Sequence, residues 1–289
     1  MSLIDKILIR DGIESDLDQI TDLCKNIWDG HDFLPSVWNN WIENNVGTFV
    51  VAELKNQIIG VYHSYLLGSD SWLETLRVDE SYRRQGIAKY LLDDYLERSR
   101  YLEAHNVRLV TSTKNTASRN LFTSNGFDEI LYSQYYSLDG KYIKSTSDPM
   151  EFSIIDDSDE IYSIMKNSLI KEDLIPLWWR WWPTNSIALS EFSKNAFLII
   201  PKLKPSSFIA VQPSKNFGYK NDYQILFFEM STNIFDDAMS FLKNQDPSIT
   251  LNKIFSIPKV NSQQLNILGE SGFKQSTNLV VLERTLNST

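Results

Sequence analysis

The first half of the chain alternates between short stretches of β-branched and aromatic residues and longer stretches with an apolar residue every three or four positions. The short stretches predict strands, and the longer ones predict helices with one buried face. Strands are predicted over residues 6–12, 49–54, 58–67, 72–78 and 107–112. The inward residues of the first three helices are predicted to be Leu17, Ile20, Cys24, Ile27 and Trp28, then Val37, Trp38 and Trp41, then Ala88, Leu91, Leu92, Tyr95 and Leu102. This alternation of strands and helices predicts an α/β fold with a mixed sheet.

Turn and capping signals mark the ends of several of these elements. Ser15-x-x-Asp18 resembles a capping box at the first helix, and Pro35 fits the first turn of the second helix. Lys55-Asn56 predicts a hairpin turn between two strands.

The second half of the chain repeats features of the first half. Lys25-Asn26 is matched 141 positions later by Lys166-Asn167, and Pro35 is matched at the same offset by Pro176. The segment 115–127, which begins with Asn115, returns 146 positions later as 261–273, which begins with Asn261. Because an internal repeat outranks local element assignments, we expect two tandem domains of one fold, at residues 1–140 and 150–289. The polar segment 139–149 is predicted to be the linker.

Four tryptophans crowd one segment of the second half, at Trp178, Trp179, Trp181 and Trp182. The segment is the repeat partner of the helix after Pro35, so we expect a helix. Neighbouring tryptophans on a helix cannot all face one core, so something must cover some of them. The cover is either a domain or subunit interface or the wall of a substrate pocket.

Composition and charge exclude several classes of function. The 289 residues, 42% hydrophobic and 22% charged, are typical of a soluble globular protein, and no apolar run reaches the length of a membrane span. The first residues lack the pattern of a signal peptide, so we expect a cytoplasmic protein without a membrane partner. The net charge of −9 argues against nucleic acid as the main partner. The chain is expected to be a monomer or a homodimer.

Cysteine and histidine usage excludes other chemistry. Cys24 is the single cysteine and lies on a predicted apolar helix stripe, which indicates a buried thiol rather than a nucleophile. One cysteine and the three scattered histidines, His31, His63 and His105, give no pattern of metal ligands, so no metal is expected.

The segment between the strand 72–78 and the following helix carries a pattern that favours anion binding. It contains Arg83-x-x-Gly86-x-Ala88 at the start of the helix. A helix start leaves several N–H groups without intrahelical partners and is partly positive. The small residues Gly86 and Ala88 let a bulky anion approach the backbone, and Arg83 and Arg84 add charge. The alternative is an ordinary strand–helix turn with surface arginines. The expected ligand is a pyrophosphate.

This segment resembles the coenzyme A signature of the GNAT acetyltransferases, Gln/Arg-x-x-Gly-x-Gly/Ala. The resemblance implies a GNAT fold and acetyl-CoA as the cofactor. It implies that the loop contacts the pyrophosphate through the residues Arg83, Arg84, Gln85, Gly86, Ile87 and Ala88. It also implies that the preceding strand pairs with the pantetheine arm and offers a backbone N–H to the thioester through Leu76, Arg77 and Val78.

A second motif follows at the distance that the family shows. Asn115-x-x-Ser118-x-x-Leu121-Phe122 precedes Gly126-Phe127. Asn115 is placed to cap the helix, and Gly126 suits its left-handed end. In the family this helix lies beside the cofactor, which implies contacts from Asn115, Ser118 and Phe122. The family usually has a tyrosine acid at the position of Phe122, so here water, Ser118 or Tyr132 would have to assist the departing thiolate.

The second copy lacks the phosphate loop. Its strand, Tyr223–Met230, leads through three residues into the helix Ile234–Leu242, with no arginine or glycine at the junction. We therefore expect that the second domain is a degenerate copy and does not bind coenzyme A.

Glu74 is the candidate base for an amine acceptor, because a carboxylate there can bind an ammonium and pass on its proton. The alternative is a strand glutamate that faces outward. Glu74-Thr75-Leu76-Arg77-Val78 resembles the Glu-Gly-Leu-Arg-Val of a GNAT subgroup that includes the histidine N-acetyltransferase type. The same subgroup has an Asp-Tyr/Phe-Leu-Pro segment, which implies that Asp32 and Phe33 contact the acceptor. The alternative role for Asp32 is helix capping.

The resulting hypothesis is an N-acetyltransferase that moves an acetyl group from acetyl-CoA to a primary amine of a small molecule or amino acid. The amine attacks directly in a ternary complex, so no enzyme nucleophile is required. Two alternatives stay open. The acceptor is a peptide or protein amine, or the chain is a non-catalytic acyl-CoA-binding protein.

Overall fold

The structure is a computed structural model, and it describes residues 3–144, 150–169, 173–177, 179–204, 206–213, 221–245, 253–260 and 262–286. Trp178 and Asn261, which the sequence analysis singled out, lie outside the described residues, as does the linker part 145–149. None of the helices in the described ranges combines the length and the apolar character that a membrane crossing needs.

The elements of the first half follow the predicted alternation of strands and helices. In chain order they are β1 (Leu8–Asp11), α1 (Leu17–Cys24), α2 (Leu34–Glu43), β2 (Thr48–Leu54), β3 (Gln57–Leu67), β4 (Asp70–Val78), α3 (Ile87–Tyr101), β5 (Asn106–Ser112), α4 (Thr116–Thr123) and β6 (Asp128–Asp139).

The second half gives a similar series with one insertion. Its elements are β7 (Phe152–Ile155), α5 (Ser158–Leu169), β8 (Leu174–Leu177), β9 (Arg180–Pro183), α6 (Ser186–Asn195), β10 (Phe197–Pro201), β11 (Phe208–Pro213), β12 (Asp222–Glu229), α7 (Thr232–Lys243), β13 (Lys253–Ser256), α8 (Gln263–Glu270) and β14 (Lys274–Thr285).

The chain forms two compact units that are each drawn from separate segments. Unit 1 contains residues 1–110, 117–128 and 282–289, and unit 2 contains residues 111–116 and 129–281. Unit 1 therefore includes the last residues of β14, and unit 2 includes nearly all of β6. The predicted functional division at residues 1–140 and 150–289 stays a prediction.

In unit 1 the strands lie in the order β1-β2-β3-β4-β5, and the end of β14 follows β5. The strands β1 to β4 are antiparallel, whereas β4 and β5 are parallel. Lys55 and Asn56 both have positive φ angles, as a tight hairpin turn between β2 and β3 requires, which confirms the predicted turn. The indole rings of Trp38 and Trp41 stack on Phe49, so α2 is anchored on β2 by aromatic packing.

The first helix begins differently from the sequence prediction. Asp16, not Asp18, makes the capping contact, because its Oδ2 accepts a hydrogen bond from the N–H of Ile13 at 3.0 Å. Burial alone would raise the pKa of Asp16, but the Arg10 guanidinium and the Ile13 N–H lower the pKa below its ordinary value. The capping carboxylate is thus ionised and held in place.

Two residues that the helical pattern placed inside are exposed. Trp28 is 60% exposed, because α1 ends at Cys24 and Trp28 lies in a following turn with φ 49°. Leu102 is 53% exposed because α3 ends at Tyr101. Both errors come from extending a 3.6-residue period beyond the helix end.

In unit 2 the strands lie in the order β6-β13-β12-β11-β10-β7, with β14 next to β6. The strands β12 and β13 are parallel, as β4 and β5 are in unit 1. A core of strand and helix residues includes Ile209, Ile225, Phe235 and Ala238. The strand order therefore repeats, which is consistent with two copies of one fold.

The ends of α4 and α8 show the repeat in atomic detail. Gly126 and Gly272 have φ angles of 80° and 86°. The N–H of Phe127 donates to the carbonyl of Phe122 at 3.2 Å, and the N–H of Phe273 donates to the carbonyl of Leu268 at 2.9 Å. Both helices thus end in the same glycine cap, as the sequence predicted.

The described residues on either side of Trp178 form paired strands, and the prediction of a helix there was wrong. β8 and β9 pair in antiparallel register with Pro176 opposite Trp181. The helix that follows β9, α6, occupies the place in the series that α2 has in the first half.

Trp181 pairs with Pro176 and Trp182 pairs with Ile175, and both indole rings are buried. Trp179 has a φ angle of 66° and stacks on Tyr135, with ring centroids 5.1 Å apart. A hairpin accommodates adjacent tryptophans because neighbouring side chains of a strand point to opposite faces. Trp179 is therefore part of the packing of unit 2, and Trp181 and Trp182 are buried side chains of β9.

Candidate active site

The predicted phosphate loop forms an open cradle at the start of α3. Arg84 has φ 60° and Gly86 has φ 86°, so the chain turns sharply before the helix. The first helical hydrogen bond runs from the N–H of Tyr90 to the carbonyl of Gly86 at 2.9 Å, which leaves the preceding N–H groups without helical partners. A Cβ at Gly86 would meet only the Cδ1 atom of Ile4, at 3.9 Å. The backbone of the loop is therefore open to a bulky anion.

The side chains of the loop divide between the surface and the core. The side chains of Arg83, Arg84 and Gln85 are exposed. Nη1 of Arg83 lies 4.0 Å from Oε1 of Glu80, which is a long distance for an ion pair, so this pair is weak. Ile87 is buried and lies near Gly60 in the core, so only its backbone can face a ligand. The structure thus assigns charge to the arginines and backbone donors to the residues from Gly86 onward.

On the side that leads to this loop, β4 continues past the end of its pairing with β5. The parallel pairs join Asp70–Trp72 to Asn106–Arg108, whereas β4 continues to Val78. A bulge lies in the continuing part, where the register with β3 shifts between the pairs His63–Glu74 and Val61–Arg77. Thr75, inside the bulge, has φ 58°. A bulge leaves backbone groups outside the ladder, which is what the predicted N–H donors near Leu76 require.

Glu74 faces inward and is bonded to a histidine. Its Oε1 lies 2.8 Å from Nδ1 of His63, and its side chain is 11% exposed. The prediction that Glu74 is an outward-facing strand residue, the alternative to a catalytic role, does not fit this geometry. Glu74 is instead held by a specific partner directly opposite it in the register of β3 and β4.

His63 is the residue that the sequence analysis missed. It is completely buried between the rings of Trp41 and Phe49, whose centroids lie 4.7 and 4.5 Å from the imidazole. Its Nε2 lies 2.5 Å from the carbonyl oxygen of Val46. The sequence does contain a signal for its burial. His63 lies on β3 two residues after Val61 and four after Ile59, so it falls on the same face of the strand as these apolar residues.

The two contacts of His63 define which ring nitrogen faces Glu74. A carbonyl can only accept, so the nitrogen beside Val46, Nε2, is assigned as an N–H donor. Nδ1 is then the nitrogen that faces the Glu74 carboxyl group, at 2.8 Å from Oε1. His63 and Glu74 are therefore coupled directly through this contact.

Asp32 links the turn after α1 to β4. Its Oδ1 accepts from the N–H of Leu34 at 3.1 Å, and its Oδ2 accepts from Nε of Arg77 at 2.8 Å. The Arg77 guanidinium also lies over the ring of Trp28, 4.8 Å from its centroid. The capping role of Asp32 is thus present, and its contact with an acceptor stays a prediction. Phe33 packs on Trp41 at 6.3 Å between ring centroids.

Cys24 is buried beside Asp32, and this predicts an unreactive thiol. Burial, reinforced by the Asp32 carboxylate, raises the pKa of Cys24 to about 12. At pH 8 the thiolate fraction is then about 1,000-fold lower than for a free cysteine. We expect alkylation of the native protein by iodoacetamide to be slower than that of the urea-unfolded protein by about this factor. Rapid labelling of the native protein would contradict this assignment.

The second motif lies on α4 and the residues that flank it. Asn115 is exposed, and its N–H donates to the carbonyl of Ser112 at 2.9 Å. Ser118 is half-buried. Phe122 is 2% exposed and packs edge-on against Phe127. Tyr132 is 44% exposed, and its hydroxyl donates to Glu129. The cofactor contacts of Asn115, Ser118 and Phe122 stay predictions.

A cleft of about 510 Å³ lies beside the loop, between the end of α1 and the turn that contains Asp79 and Arg83. Neither Glu74 nor Thr75 lines it. The Glu74 carboxylate and the strand opening coincide instead at the bulge of β4. Within the described ranges, no group of three histidine, cysteine, aspartate or glutamate side chains is arranged to hold a metal ion.

Comparison with known proteins agrees with this geometry. Residues 15–127 match the model of the acetyltransferase (GNAT) family. A segment of 100 residues is 30% identical to a histidine N-acetyltransferase of Oreochromis niloticus and covers 33% of this chain and 30% of that relative. The matched segment thus spans about a third of the length of the curated relative.

Two solved structures resemble the fold along nearly the whole chain. A tandem GNAT protein from the clavulanic acid biosynthesis pathway has a TM-score of 0.64 at 8% identity, with 98% of this chain and 99% of that chain covered. A GCN5-related N-acetyltransferase from Sphaerobacter thermophilus has a TM-score of 0.62 at 10% identity, with 97% and 96% covered. At these identities the likeness concerns the fold alone.

The fold is that of the tandem GNAT proteins. Residues 15–127, which match the model of the acetyltransferase (GNAT) family, contain both the loop at Gly86 and the bulged strand.

Proposed function

We propose that the chain is an N-acetyltransferase that moves the acetyl group of acetyl-CoA to a primary amine of a small molecule or amino acid. The observation that carries the proposal is the coincidence, within unit 1, of three features. These are the open anion cradle at Gly86, the bulge where β4 leaves β5, and the buried Glu74–His63 pair beside that bulge.

The residues of unit 1 fit acetyl-CoA. The N–H groups at the start of α3 and the exposed Arg83 and Arg84 match the charge of a pyrophosphate. The edge of β4 beyond Trp72 is available for the amide groups of the pantetheine arm, because the β5 pairing has ended there. When bound, acetyl-CoA supplies an activated acyl group, and the bulge N–H groups near Leu76 stabilise the oxyanion.

Glu74 and His63 handle the charge of the amine. An alkyl-ammonium is attracted to the Glu74 carboxylate, which lies on the strand that carries the bulge. Attack on the thioester requires the neutral amine, and the Glu74–His63 pair accepts the proton that is lost. The Val46 carbonyl fixes the ring of His63, so the carboxylate keeps its orientation through the reaction. Water then carries the proton from the pair to solvent.

A small acceptor is favoured over a protein acceptor by the enclosure of this pair. Trp41, Phe49 and His63 form an aromatic wall next to Glu74. The similarity of a third of the chain to a histidine N-acetyltransferase supports an amino acid as the acceptor. A protein substrate would instead require a long groove that leaves Glu74 accessible to a chain segment.

Unit 2 is proposed to have no cofactor site of its own. β12 ends at Glu229, and α7 begins at Thr232, so no loop comparable to residues 79–86 separates strand and helix. The first residue before α7, Ser231, has extended backbone angles instead of the left-handed conformation of Gly86.

The test is thiol release from acetyl-CoA in the presence of a panel of amines. The panel contains single amino acids including histidine, polyamines, aminoglycosides and short peptides. A strong response to one of the small amines is expected. A response confined to peptides would overturn the small-molecule acceptor, and silence across the panel while acetyl-CoA binds would favour a non-catalytic acyl-CoA-binding protein.

A further inference from the structure

Thr75 adopts a backbone conformation that its side chain disfavours. Its φ angle is 58°, in the left-handed region. A β-branched residue in this region is a conformational outlier, and glycine or asparagine would occupy it with less strain. Such strain is concentrated at functional sites, where surrounding structure maintains it.

The side chain of Thr75 is also unusual. The residue is 6% exposed, and its Oγ1 has no hydrogen-bond partner within the described part of the chain. A buried hydroxyl without a partner is energetically unfavourable. Thr75 therefore combines a strained backbone with an unsatisfied hydroxyl donor. Valine or glycine at this position would have no unsatisfied hydroxyl.

The register of the sheet places Thr75 at the proposed reacting centre. Thr75 and Leu76 together oppose Tyr62, because the register passes from His63–Glu74 to Val61–Arg77. The hydroxyl of Tyr62, the residue opposite, is already used because it donates to Asp94 at 2.6 Å. A ligand that lies along the open part of β4 could therefore supply the hydrogen-bond partner of Thr75 Oγ1.

We propose that the hydroxyl of Thr75 donates a hydrogen bond to the carbonyl oxygen of the acyl thioester, beside the N–H groups of the bulge. This inference rests on the proposed function and adds a residue to it. The amine lone pair forms the new C–N bond, and the carbonyl π electrons move to the oxygen, where Thr75 stabilises the charge. When the C–S bond breaks, these electrons return, the thiolate leaves and is protonated by solvent, and the amine proton goes to the Glu74–His63 pair.

The inference explains why a threonine is compatible with this bulge. Its hydroxyl is without a partner until the acyl group is present, so the hydrogen bond forms only with the ligand bound. A donor that is already desolvated and fixed by a strained backbone needs little reorganisation when negative charge develops on the oxygen.

The test compares Thr75→Ser, Thr75→Val and Thr75→Gly in the full chain. Valine keeps the shape and β-branching but removes the hydroxyl, and glycine relieves the strain as well. We expect kcat to fall about 100-fold in both, as for loss of one oxyanion donor. Thr75→Ser should stay within about threefold of the original kcat because it keeps the donor. The melting temperature of Thr75→Gly should be unchanged or higher.

A second readout does not depend on turnover. The infrared carbonyl band of bound ¹³C-acetyl-CoA should move to lower frequency in the original protein and in Thr75→Ser, and less so in Thr75→Val and Thr75→Gly. Equal bands in all four proteins would overturn the inference, as would full activity of Thr75→Val. If the original protein transfers no acetyl group but the band still depends on Thr75, the proposed function fails while the hydrogen bond stands.

Discussion

Replacing Gly86 by glutamate is expected to weaken acetyl-CoA binding by at least about 100-fold. The new side chain would place a carboxylate in the cradle where the pyrophosphate is proposed to bind, and repulsion of a few kcal/mol is expected for close like charges near a protein surface. The Cβ of the new residue has room, since its nearest neighbour is 3.9 Å away. The fold should therefore persist, and isothermal titration calorimetry should show one site per chain in the original protein and none in the variant.

Gly272→Glu is the matched control for this experiment. Gly272 has the same φ angle of 86°, and a Cβ there would meet nothing within 4 Å. Both variants therefore carry similar backbone strain, about 1–2 kcal/mol for a residue other than glycine. Gly272→Glu should bind acetyl-CoA with unchanged affinity. Equal affinities of the two variants would refute the assigned loop, and two sites per original chain would refute the absence of a site in unit 2.

Replacing Glu74 by glutamine is expected to lower kcat by about 100- to 10,000-fold, the range for loss of a general base. Glutamine is nearly isosteric but cannot accept the proton of an ammonium. The affinity for acetyl-CoA should change little, because Glu74 is assigned to the amine and not to the cofactor. Steady-state kinetics with the best amine of the panel, combined with calorimetry for acetyl-CoA, separates the two effects.

Glu53→Gln provides the corresponding control on another strand of unit 1. Glu53 lies on β2 and accepts a hydrogen bond from Arg10 at 2.7 Å, so it is also a partly buried glutamate in an ion pair. Its loss should affect stability but not kcat. If Glu74→Gln retained full activity, or if both variants lost activity equally, Glu74 would not be the base.

The elements of the first half were predictable because local signals and long-range packing agree there. The Lys55-Asn56 turn and the Gly126 helix end follow from backbone preferences that short motifs express directly. The tryptophan segment was mispredicted because the repeat was extended through an insertion. The proline and the tryptophans after it recur at one offset, although the first set lies in a helix and the second in a hairpin. Only the packing of unit 2 decides between helix and hairpin there.

The backbone turn at Gly86 was predictable from the sequence, but the partners of Glu74 were not. The cradle at Gly86 depends on a short motif, so the sequence alone indicated it. His63 is brought to Glu74 by the pairing of β3 with β4, and the bulge sets which side chains meet. Neither the bulge nor the positive φ of Thr75 has a local sequence signal, because both result from the register of the sheet.

The division of β14 between the two units has a consequence for the order in which the protein folds during synthesis. Arg108 is buried in unit 1 and is bonded both to Asp70 and to Glu283, which lies 175 positions later in the chain. The N–H of Leu286 also donates to the carbonyl of His105. Domains generally fold as they emerge from the ribosome, but unit 1 cannot be complete until residue 286 has been synthesised. The unit that holds the proposed reacting centre is therefore translated early, but its folding is completed only at the end of synthesis.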